Sequence, residues 1–254
     1  MSAIAGERVN GIDHEVDQRI LACLDIERPR SFFLFAGAGS GKTRSLVTAL
    51  GGLRATIGRR MRLHGQQIAV ITYTNAACDE IKRRLDFDPL VSVSTIHSFV
   101  WDLIQGFNTD IRSWLSGALK QQITELEALQ AKGKAGSQAA ADRASSIEAT
   151  QKRLEILPSI KRFIYNPNGE NRGRDSLNHS EVIKIGASFL TNKPLMQELL
   201  ISRFPILLID ESQDTNRLLM ESFLLLQGAH KTVFSLGLFG DTMQRIYADG
   251  KVDL

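Results

Sequence analysis

The sequence predicts an α/β fold, in which helices cover a mostly parallel sheet. Short apolar runs of strand length alternate with longer stretches of helical character, which is the β-α-β pattern of parallel sheets. The first of these runs is apolar throughout, as expected for a strand that is buried on both faces. A glycine-rich turn follows that run and leads into a helical stretch.

Five apolar runs are predicted strands, and three amphipathic stretches beside them are predicted helices. The strands span residues 31–36, 68–73, 91–95, 206–210 and 232–240. The helices span residues 42–50, 75–85 and 181–190. Because two consecutive glycines disfavour a helix, Gly51-Gly52 is predicted to end the first of them.

The middle of the chain differs, because residues 113–157 are rich in alanine, glutamine and charge. Leucine and isoleucine recur there every three or four residues, from Leu115 to Leu129, which predicts one helical stripe. A second predicted helix covers residues 138–157, so the two form a helical hairpin. We therefore predict a sheet domain in two parts, 1–104 and 201–254, with a helical insertion at 105–200. The hairpin is either a solvated surface element or a functional arm.

Composition excludes several classes of protein. Hydrophobic residues make up 43% and charged residues 23% of the 254, which argues against disorder over the whole length. No apolar run approaches the roughly 20 residues of a membrane helix, and residues 1–10 lack the apolar core of a signal peptide. Cys23 and Cys78 are too few for a disulfide framework or a zinc site. We therefore expect a cytoplasmic protein without a membrane partner.

The charge of the chain is mildly positive. A formal net charge of +3 allows nucleic-acid binding but does not require it. Arg54, Arg59, Arg60 and Arg62 form a basic cluster between a predicted helix and a predicted strand. Since most such clusters are solvated, we interpret it mainly as surface charge.

The glycine-rich turn after the first predicted strand has the pattern of a phosphate-binding loop. It reads Ala36-Gly-Ala-Gly-Ser-Gly-Lys42-Thr43, and its small residues are Gly37, Ala38, Gly39, Ser40 and Gly41. Small residues before a helix N-terminus let backbone N–H groups close around phosphate oxygens. Lys42 would reach the β- and γ-phosphates, and Thr43 would bind Mg²⁺ through its hydroxyl. The alternative is a glycine-rich turn that holds no nucleotide.

Two acids, Asp210 and Glu211, follow the fourth apolar run. Ligands of open α/β sheets bind beyond the carboxyl ends of the strands. Asp210 is therefore predicted to hold Mg²⁺, directly or through water, and Glu211 to orient and deprotonate the attacking water. Gln213 and Asp214 extend the pair to Asp-Glu-Ser-Gln-Asp, which is more specific than Asp-Glu alone. The alternative is a pair of strand-end acids that face solvent.

Five motifs, taken in order, resemble the N-terminal RecA-like core of the UvrD/Rep family of superfamily 1 helicases. The phosphate loop has the family's form, including Ala36 at its first position. The other four are Thr72-Tyr-Thr-Asn-Ala-Ala77, Ser94-Thr-Ile-His-Ser-Phe99, Leu208 to Asn216 and Gly240-Asp-Thr-Met-Gln-Arg-Ile-Tyr247. The resemblance implies a P-loop NTPase with ATP and Mg²⁺ as cofactors, and with a helical subdomain inserted into its sheet domain.

On the nucleotide side, the resemblance implies roles for four further residues. Gln213 would link the ATP site to the sheet, and Gln244 would sense the γ-phosphate from the neighbouring strand end. Arg44 corresponds to an arginine that stacks on adenine. Gln18 lies where the family has a glutamine that reads adenine, and the alternative is a polar residue on a helix face.

On the nucleic-acid side, the resemblance implies a site for single-stranded DNA. Such a strand needs aromatic platforms and polar contacts to its backbone. The matching residues are Tyr73, Thr74, Asn75, His97, Ser98, Phe99 and Tyr247. Tyr73 would stack on a base, and Thr74 and Asn75 would contact phosphates. For Tyr73 and Phe99 the alternative is core packing.

The sequence departs from the family in two respects that bear on mechanism. The chain ends at Leu254, whereas the family continues into a second RecA-like core whose arginines complete ATP hydrolysis. Ala248-Asp249-Gly250 replaces a Trp-Arg-Gly element that stacks on DNA. The resemblance therefore predicts that this core needs a second core or a partner subunit.

Three functions compete at this point. The first is an ATP-dependent DNA helicase or translocase of the UvrD type, represented by its first core. The second is an ATP- and DNA-sensing module of a larger complex, for example a phage-defence system with a nuclease partner, without processive unwinding. The third is a P-loop relic without turnover, against which Lys42, Asp210, Glu211 and Gln244 argue. These residues do not distinguish DNA from RNA or fix a direction of movement.

Overall fold

A computed structural model describes residues 15–35, 37, 41–134 and 136–241. The chain divides into two compact units. The first, which we call the sheet unit, comprises Met1–Phe99 and Ala187–Leu254. The second, the helical unit, comprises Val100–Gly186.

The sheet has five parallel strands. They are β1 (Phe32–Phe35), β2 (Ile68–Thr72), β3 (Val91–Thr95), β4 (Ile206–Ile209) and β5 (Ser235–Gly240). Their order is β1-β5-β4-β2-β3, and every neighbouring pair runs parallel. The five predicted strands and the α/β class are therefore confirmed.

The three central strands explain the continuous apolar runs of the sequence. Every residue of β2, β4 and β5 is buried, because helices cover both faces of these strands. The end strands β1 and β3 are less covered. Phe33 and Phe35 of β1 remain exposed and stack on each other, with ring centroids 3.7 Å apart.

The described residues contain ten helices. They are α1 (residues 15–23), α2 (Lys42–Thr56), α3 (Gly58–Leu63), α4 (Asn75–Arg84), α5 (Ile96–Ile104), α6 (Asn108–Lys132), α7 (Gln138–Ile156), α8 (His179–Asn192), α9 (Pro194–Arg203) and α10 (Arg217–Ala229). Short 3₁₀ turns cover Leu157–Ser159 and Ser212–Asp214.

Helix α2 does not end where the sequence predicts. It passes through Gly51-Gly52 and continues to Thr56, so that prediction is wrong. Two glycines cost the helix about 1 kcal/mol each, but Leu53 beyond them is fully buried in the core. Gly52 also allows a close contact, because a Cβ there would lie 2.7 Å from Cδ2 of Leu21. Tertiary packing therefore outweighs the local preference.

The helical unit contains the long pair α6 and α7. Gln130 joins the two helices near the turn between them. It donates to the Ala140 carbonyl at 3.1 Å and accepts from Arg143 at 2.9 Å. Leu115 and Leu119 are buried, whereas Leu129 near the tip is exposed. The predicted stripe is thus buried near the N-terminus of α6, whereas its last leucine, near the C-terminus, is exposed.

Two properties of the described residues bear on the class of protein. No helix among them is both long and apolar enough to cross a membrane. Cys23 and Cys78 are both free thiols, and burial raises the pKa of the Cys78 thiol above its ordinary value.

Candidate nucleotide and nucleic-acid sites

The strand order brings two predicted motifs to one edge of the sheet. The phosphate loop follows β1 and the acidic pair follows β4, and β5 lies between these two strands. All three strands run parallel, so their carboxyl ends meet at the same edge. We call this place, defined by Lys42, Asp210, Glu211 and Gln213, the carboxyl edge.

The phosphate loop is described in part. Gly37, Gly41, Lys42 and Thr43 are described, whereas Ala36, Ala38, Gly39 and Ser40 lie outside the described residues. Gly41 has a φ of 89°, a left-handed conformation that favours glycine. Lys42 is the first residue of α2, so the loop leads directly into a helix N-terminus. The described part therefore ends, as a phosphate loop does, in a left-handed glycine followed by a helix N-terminus.

Lys42 connects the loop to the acidic pair. Its side chain is 8% exposed, and its Nζ lies 3.6 Å from Oε2 of Glu211, whose side chain is 41% exposed. A buried ammonium is costly unless it has a partner of opposite charge. The predicted phosphate ligand and the predicted general base thus face each other.

Asp210 is the buried acid of the pair, only 5% exposed. Its backbone N–H donates to the Ile71 carbonyl of β2 at 2.8 Å, and its Oδ1 accepts from the Glu211 N–H at 3.1 Å. Burial raises the pKa of Asp210 to about 6, and the charge of Glu211 adds to the rise while Lys42 opposes it. A carboxylate in such a place is stabilised by a cation, and carboxylate and hydroxyl oxygens are the ligands that Mg²⁺ prefers. Asp210 and the half-buried Thr43 therefore fit a magnesium site.

Glu211 adopts an unusual backbone conformation. Its φ is 50° and its ψ is 47°, in the left-handed region that non-glycine residues rarely occupy. Such strain persists only where the surroundings hold it, and it is concentrated at functional sites. Here Gln213 donates from Nε2 to Oε2 of Glu211 at 2.7 Å. Both Gln213 and Lys42 therefore lie beside the same carboxylate oxygen, Oε2 of Glu211.

Gln213 also reaches the end of β5. Its Oε1 accepts from the backbone N–H of Asp241 at 3.1 Å. Asp241 is buried, and it is the first residue after β5. Gln244, the predicted phosphate sensor, lies three residues further on and outside the described residues.

The residues predicted to bind single-stranded DNA begin at the turn from β2 to α4. Tyr73 is 61% exposed, which excludes the core-packing alternative for this ring. Thr74 caps α4, since its Oγ1 accepts from the Ala77 N–H at 3.1 Å. Asn75 is exposed at the first position of the helix. We call these three residues the β2–α4 turn.

In the second segment predicted to bind DNA, His97 to Phe99, the prediction for Phe99 is corrected. Phe99 is 3% exposed, and its ring packs against Phe204 and Phe223 at centroid distances of 5.6 and 6.3 Å. Because no face of the ring is accessible to a base, we remove Phe99 from the candidate site. His97 and Ser98 are half-buried and keep their predicted role as proposals, whereas Tyr247 lies outside the described residues.

Arg44 and Gln18 remain predictions. Arg44 is exposed on the first turn of α2, and Gln18 is exposed on α1. Exposure is compatible with adenine binding, and for Gln18 it is equally compatible with a solvated helix face.

The arginine cluster is engaged mainly with neighbouring acids. Arg54 and Arg62 contact the Asp88 carboxylate at 3.2 and 3.1 Å. Arg60 pairs with Glu27. These ion pairs join loops and helices within the sheet unit, so the interpretation as a nucleic-acid surface gains no support here.

Sequence reasoning missed the contacts of two residues at the carboxyl edge. Glu80 of α4 lies close enough for its charge to help raise the pKa of Asp210. Asp241 donates to Gln213 across the sheet edge. Motif spacing does not reveal either contact, since both depend on which strands are neighbours.

A family model and a known protein match most of the chain, and a second known protein matches part of it. A family model described as an AAA domain matches residues 22–249. The Gabija protein GajB of Bacillus cereus is 24% identical, with 89% of this chain and 42% of that protein aligned. A probable DNA helicase II homolog of Mycoplasma capricolum is 33% identical, over 44% of this chain and 13% of that protein. The chain thus spans less than half the length of either relative. It belongs to the AAA domain family, as a UvrD-like member of the superfamily 1 helicases.

Proposed function

We propose that this chain is the ATP-binding first core of an ATP-dependent DNA helicase or translocase of the UvrD type. The observation that carries the proposal is the carboxyl edge itself. There the loop lysine, Lys42, faces Glu211 at 3.6 Å, and the buried Asp210 lies beside them. A loop lysine and strand-end acids of this kind are among the groups that P-loop enzymes use for phosphoryl transfer from ATP.

The roles of these side chains follow from their charges and positions. Lys42 and the N-terminus of α2 would bind the phosphates, while Thr43 and Asp210 would hold Mg²⁺. The bound ion would neutralise charge on the phosphate oxygens. Glu211, the more exposed of the two acids, would accept the proton of the attacking water. Arg44 and Gln18 would contact adenine, and Gln244 would sense the γ-phosphate.

Single-stranded DNA is the proposed substrate of the β2–α4 turn. Tyr73 offers an exposed ring on which a base can stack, a contact worth about 1–3 kcal/mol. Asn75 and the capped N-terminus of α4 would meet the phosphates beside it. His97 and Ser98 extend the same site, and Tyr247 would supply a second platform.

Turnover is proposed to need a second RecA-like core or a partner subunit. In comparable phosphoryl-transfer enzymes, an arginine supplied from outside the core raises the rate by about 10³ or more.

A second candidate function is an ATP- and DNA-sensing module of a multi-subunit defence complex, with a nuclease as the example partner. The observation that favours it is the likeness to Gabija protein GajB, which extends over 89% of this chain. In that case nucleotide binding would report on the state of DNA without processive unwinding.

The first experiment measures ATP binding and ATP hydrolysis by this chain, at low salt, with and without single-stranded DNA. We expect binding with a Kd that is measurable by a fluorescent ATP analogue, and turnover that is slow in either case. ATP hydrolysis that single-stranded DNA accelerates strongly in this chain alone would contradict the need for a second core. Absence of nucleotide binding would overturn the proposed function.

Lys42→Ala tests the phosphate loop within the same assay. The variant loses a buried cation and leaves Glu211 facing the phosphates, so we expect nucleotide affinity to fall about 10- to 100-fold. Lys231→Ala, which removes an exposed lysine beyond α10, is the matched control and should bind as the parent does. Equal affinities of the parent and Lys42→Ala would refute the role of Lys42.

A further inference from the structure

A cavity of about 310 Å³ lies within the helical unit. One side is formed by α7 and the other by residues 171–178 and the first turn of α8. Its lining residues all belong to the helical unit, whereas the carboxyl edge and the β2–α4 turn belong to the sheet unit. We call it the α7–α8 cavity. Sites for small ligands have volumes of about 300–1,000 Å³, so this cavity has the size to hold one small molecule.

Helix α7 gives the cavity a wall of mixed character. Ala149, Lys152, Arg153 and Ile156 follow one another at intervals of three, one and three residues, which places them on one helix face. Ala149 and Ile156 contribute apolar surface, and Lys152 and Arg153 contribute positive charge. One ligand can therefore contact both an apolar and a cationic surface on this wall.

The opposite wall contains a turn that is held by its own hydrogen bonds. The Gly173 N–H donates to Oγ of Ser176 at 3.1 Å, and the Ser176 N–H donates to the Gly173 carbonyl at 3.1 Å. The Ile164 N–H donates to the Asp175 carbonyl at 3.1 Å and ties the turn to the preceding chain. Arg174 lies inside this turn and lines the cavity. Its backbone position is therefore fixed before any ligand binds.

The carboxylate that lines the cavity, that of Glu181, already has its partners. Arg153 donates from Nη1 and Nη2 to Oε1 and Oε2 of Glu181 at 2.5 and 3.0 Å. Oε2 also accepts from the Asn178 N–H at 3.0 Å, while Oδ1 of Asn178 accepts from the Glu181 N–H at 2.9 Å. The two residues thus form a capping box at the start of α8. The charge of Glu181 is compensated within the wall.

The side chains that remain to contact a ligand are donors. Arg174 is exposed and has no ion pair in the part of the chain that the structure describes. Lys152 pairs with Glu148 on the helix surface at 2.5 Å, a contact that water screens. Asn178 uses its amide oxygen in the cap, which leaves Nδ2 to donate. The N-terminus of α8 adds partial positive charge. The ligand that fits is therefore an acceptor and an anion.

We propose that the α7–α8 cavity binds a small phosphomonoester. Its phosphate group lies among Lys152, Arg174 and Asn178, and its organic group packs against Ala149 and Ile156. A phosphomonoester carries a charge of about −1.5 to −2 at pH 7 and offers three acceptor oxygens, and arginine binds such a group with two parallel hydrogen bonds. A phosphodiester carries one charge and two organic groups, so it matches the same donors less well. The inference does not depend on the proposed function, since none of these residues takes part in it.

The test uses phenyl phosphate as the probe in the full 254-residue chain, because it is a monoester that contains no nucleotide. Titration is followed by NMR through the backbone amide shifts of Gly173 and Asn178. We expect saturable shifts with a Kd at or below about 1 mM. Methyl phenyl phosphate, the matched diester, should bind at least about tenfold more weakly, since it lacks one charge. Lys42→Ala should leave the Kd for phenyl phosphate unchanged, because the phosphate loop is a different site.

Two variants have matched controls in the same elements. Arg174→Gln removes a cation of the cavity and should raise the Kd about 10- to 100-fold. Arg172→Gln removes an exposed arginine that pairs with Glu170 outside the cavity, and it should bind as the parent does. Ala149→Leu fills part of the cavity from an exposed helix position and should also weaken binding at least about tenfold. Ala144→Leu makes the same change on α7 outside the cavity and should have no effect.

The possible results either support the site or overturn it. Saturable binding that Arg174→Gln and Ala149→Leu weaken, and that both control variants keep, supports the phosphomonoester site. No saturation up to about 10 mM phenyl phosphate overturns it. Equal binding of the diester, or equal weakening by Arg174→Gln and Arg172→Gln, also overturns it and indicates a diffuse basic surface.

Two further measurements separate this site from the other proposed sites. If a single-stranded oligonucleotide without a terminal phosphate shifts the Gly173 and Asn178 amides and phenyl phosphate does not, the cavity belongs to a nucleic-acid surface and the proposal is wrong. If Lys42→Ala abolishes binding of phenyl phosphate, the probe binds at the phosphate loop and the proposal is also wrong. A parent chain that binds phenyl phosphate at the cavity but does not bind ATP overturns the proposed function and leaves this inference standing.

Discussion

The carboxyl edge and the β2–α4 turn belong to the same sheet unit, but they differ in how far water reaches their side chains. Lys42 and Asp210 are buried at the carboxyl edge, where charges interact strongly and pKa values shift. Tyr73 and Asn75 are exposed, as a surface that a flexible strand can reach must be. Burial strengthens the interactions between charges at the carboxyl edge, whereas stacking on a base requires an exposed ring.

The largest effect that follows from this comparison concerns Glu211. Glu211→Gln keeps the size of the side chain but cannot accept the proton of the attacking water. We expect turnover to fall about 10²- to 10⁴-fold, with nucleotide affinity nearly unchanged. The measurement is kcat in an assembly that contains the second core, and retained turnover would remove Glu211 as the base.

The next effect separates the two aromatic residues. Phe99→Ala opens a cavity in the core and should lower the free energy of unfolding by about 3–5 kcal/mol. Tyr73→Ala, at an exposed position, should change it by less than about 0.5 kcal/mol. Denaturant unfolding of both variants checks this contrast, and a mild effect of Phe99→Ala would restore Phe99 to the candidate site.

The same tyrosine should dominate binding of single-stranded DNA. Removing its ring should weaken binding by about 1–3 kcal/mol, the value of one stacked base. Tyr73→Phe keeps the ring and should bind nearly as the parent does. Fluorescence anisotropy with a labelled oligonucleotide distinguishes the two variants. Equal losses in both would mean that the hydroxyl, and not the ring, makes the contact.

A smaller, graded effect follows from the pKa of Asp210. Burial raises that pKa from 3.8 to about 6, so below this pH Mg²⁺ must displace a proton. Mg²⁺-dependent nucleotide affinity should therefore fall about tenfold per unit as pH is lowered below 6.

The contribution of Asp210 to the stability of the fold depends on pH in the opposite direction. The raised pKa favours the folded state most below pH 3.8, and that contribution is lost as pH rises through about 6. Asp210→Asn should abolish both dependences.

Some of this structure follows from the sequence and some does not. The strands are predictable because β2, β4 and β5 are buried on both faces and leave uninterrupted apolar runs. The end of α2 is not, because the burial of Leu53 decides it and local propensity does not.

The candidate site divides in the same way. Residue types and spacing predict that Lys42 and Asp210 meet at one sheet edge, since parallel strands end together. They leave open whether Phe99 binds DNA or packs in the core, because a single aromatic residue in a motif carries no periodicity. Nor do they predict the contact from Gln213 to Asp241, which spans 28 residues and depends on the neighbouring positions of β4 and β5.

The hydrogen bond from the Asp210 N–H to the Ile71 carbonyl, 2.8 Å long, joins the two regions directly. Ile71 lies two residues before Tyr73, so a single peptide-to-peptide bond joins Asp210, the proposed metal ligand, to the strand that leads to Tyr73, the proposed stacking residue. Free-energy coupling between two ligands is reciprocal. Whatever factor bound nucleotide imposes on DNA affinity through this bond, bound DNA must impose on nucleotide affinity. A thermodynamic cycle over the four combinations of empty and occupied nucleotide and DNA sites would give that factor twice. One value would come from nucleotide affinities and the other from DNA affinities.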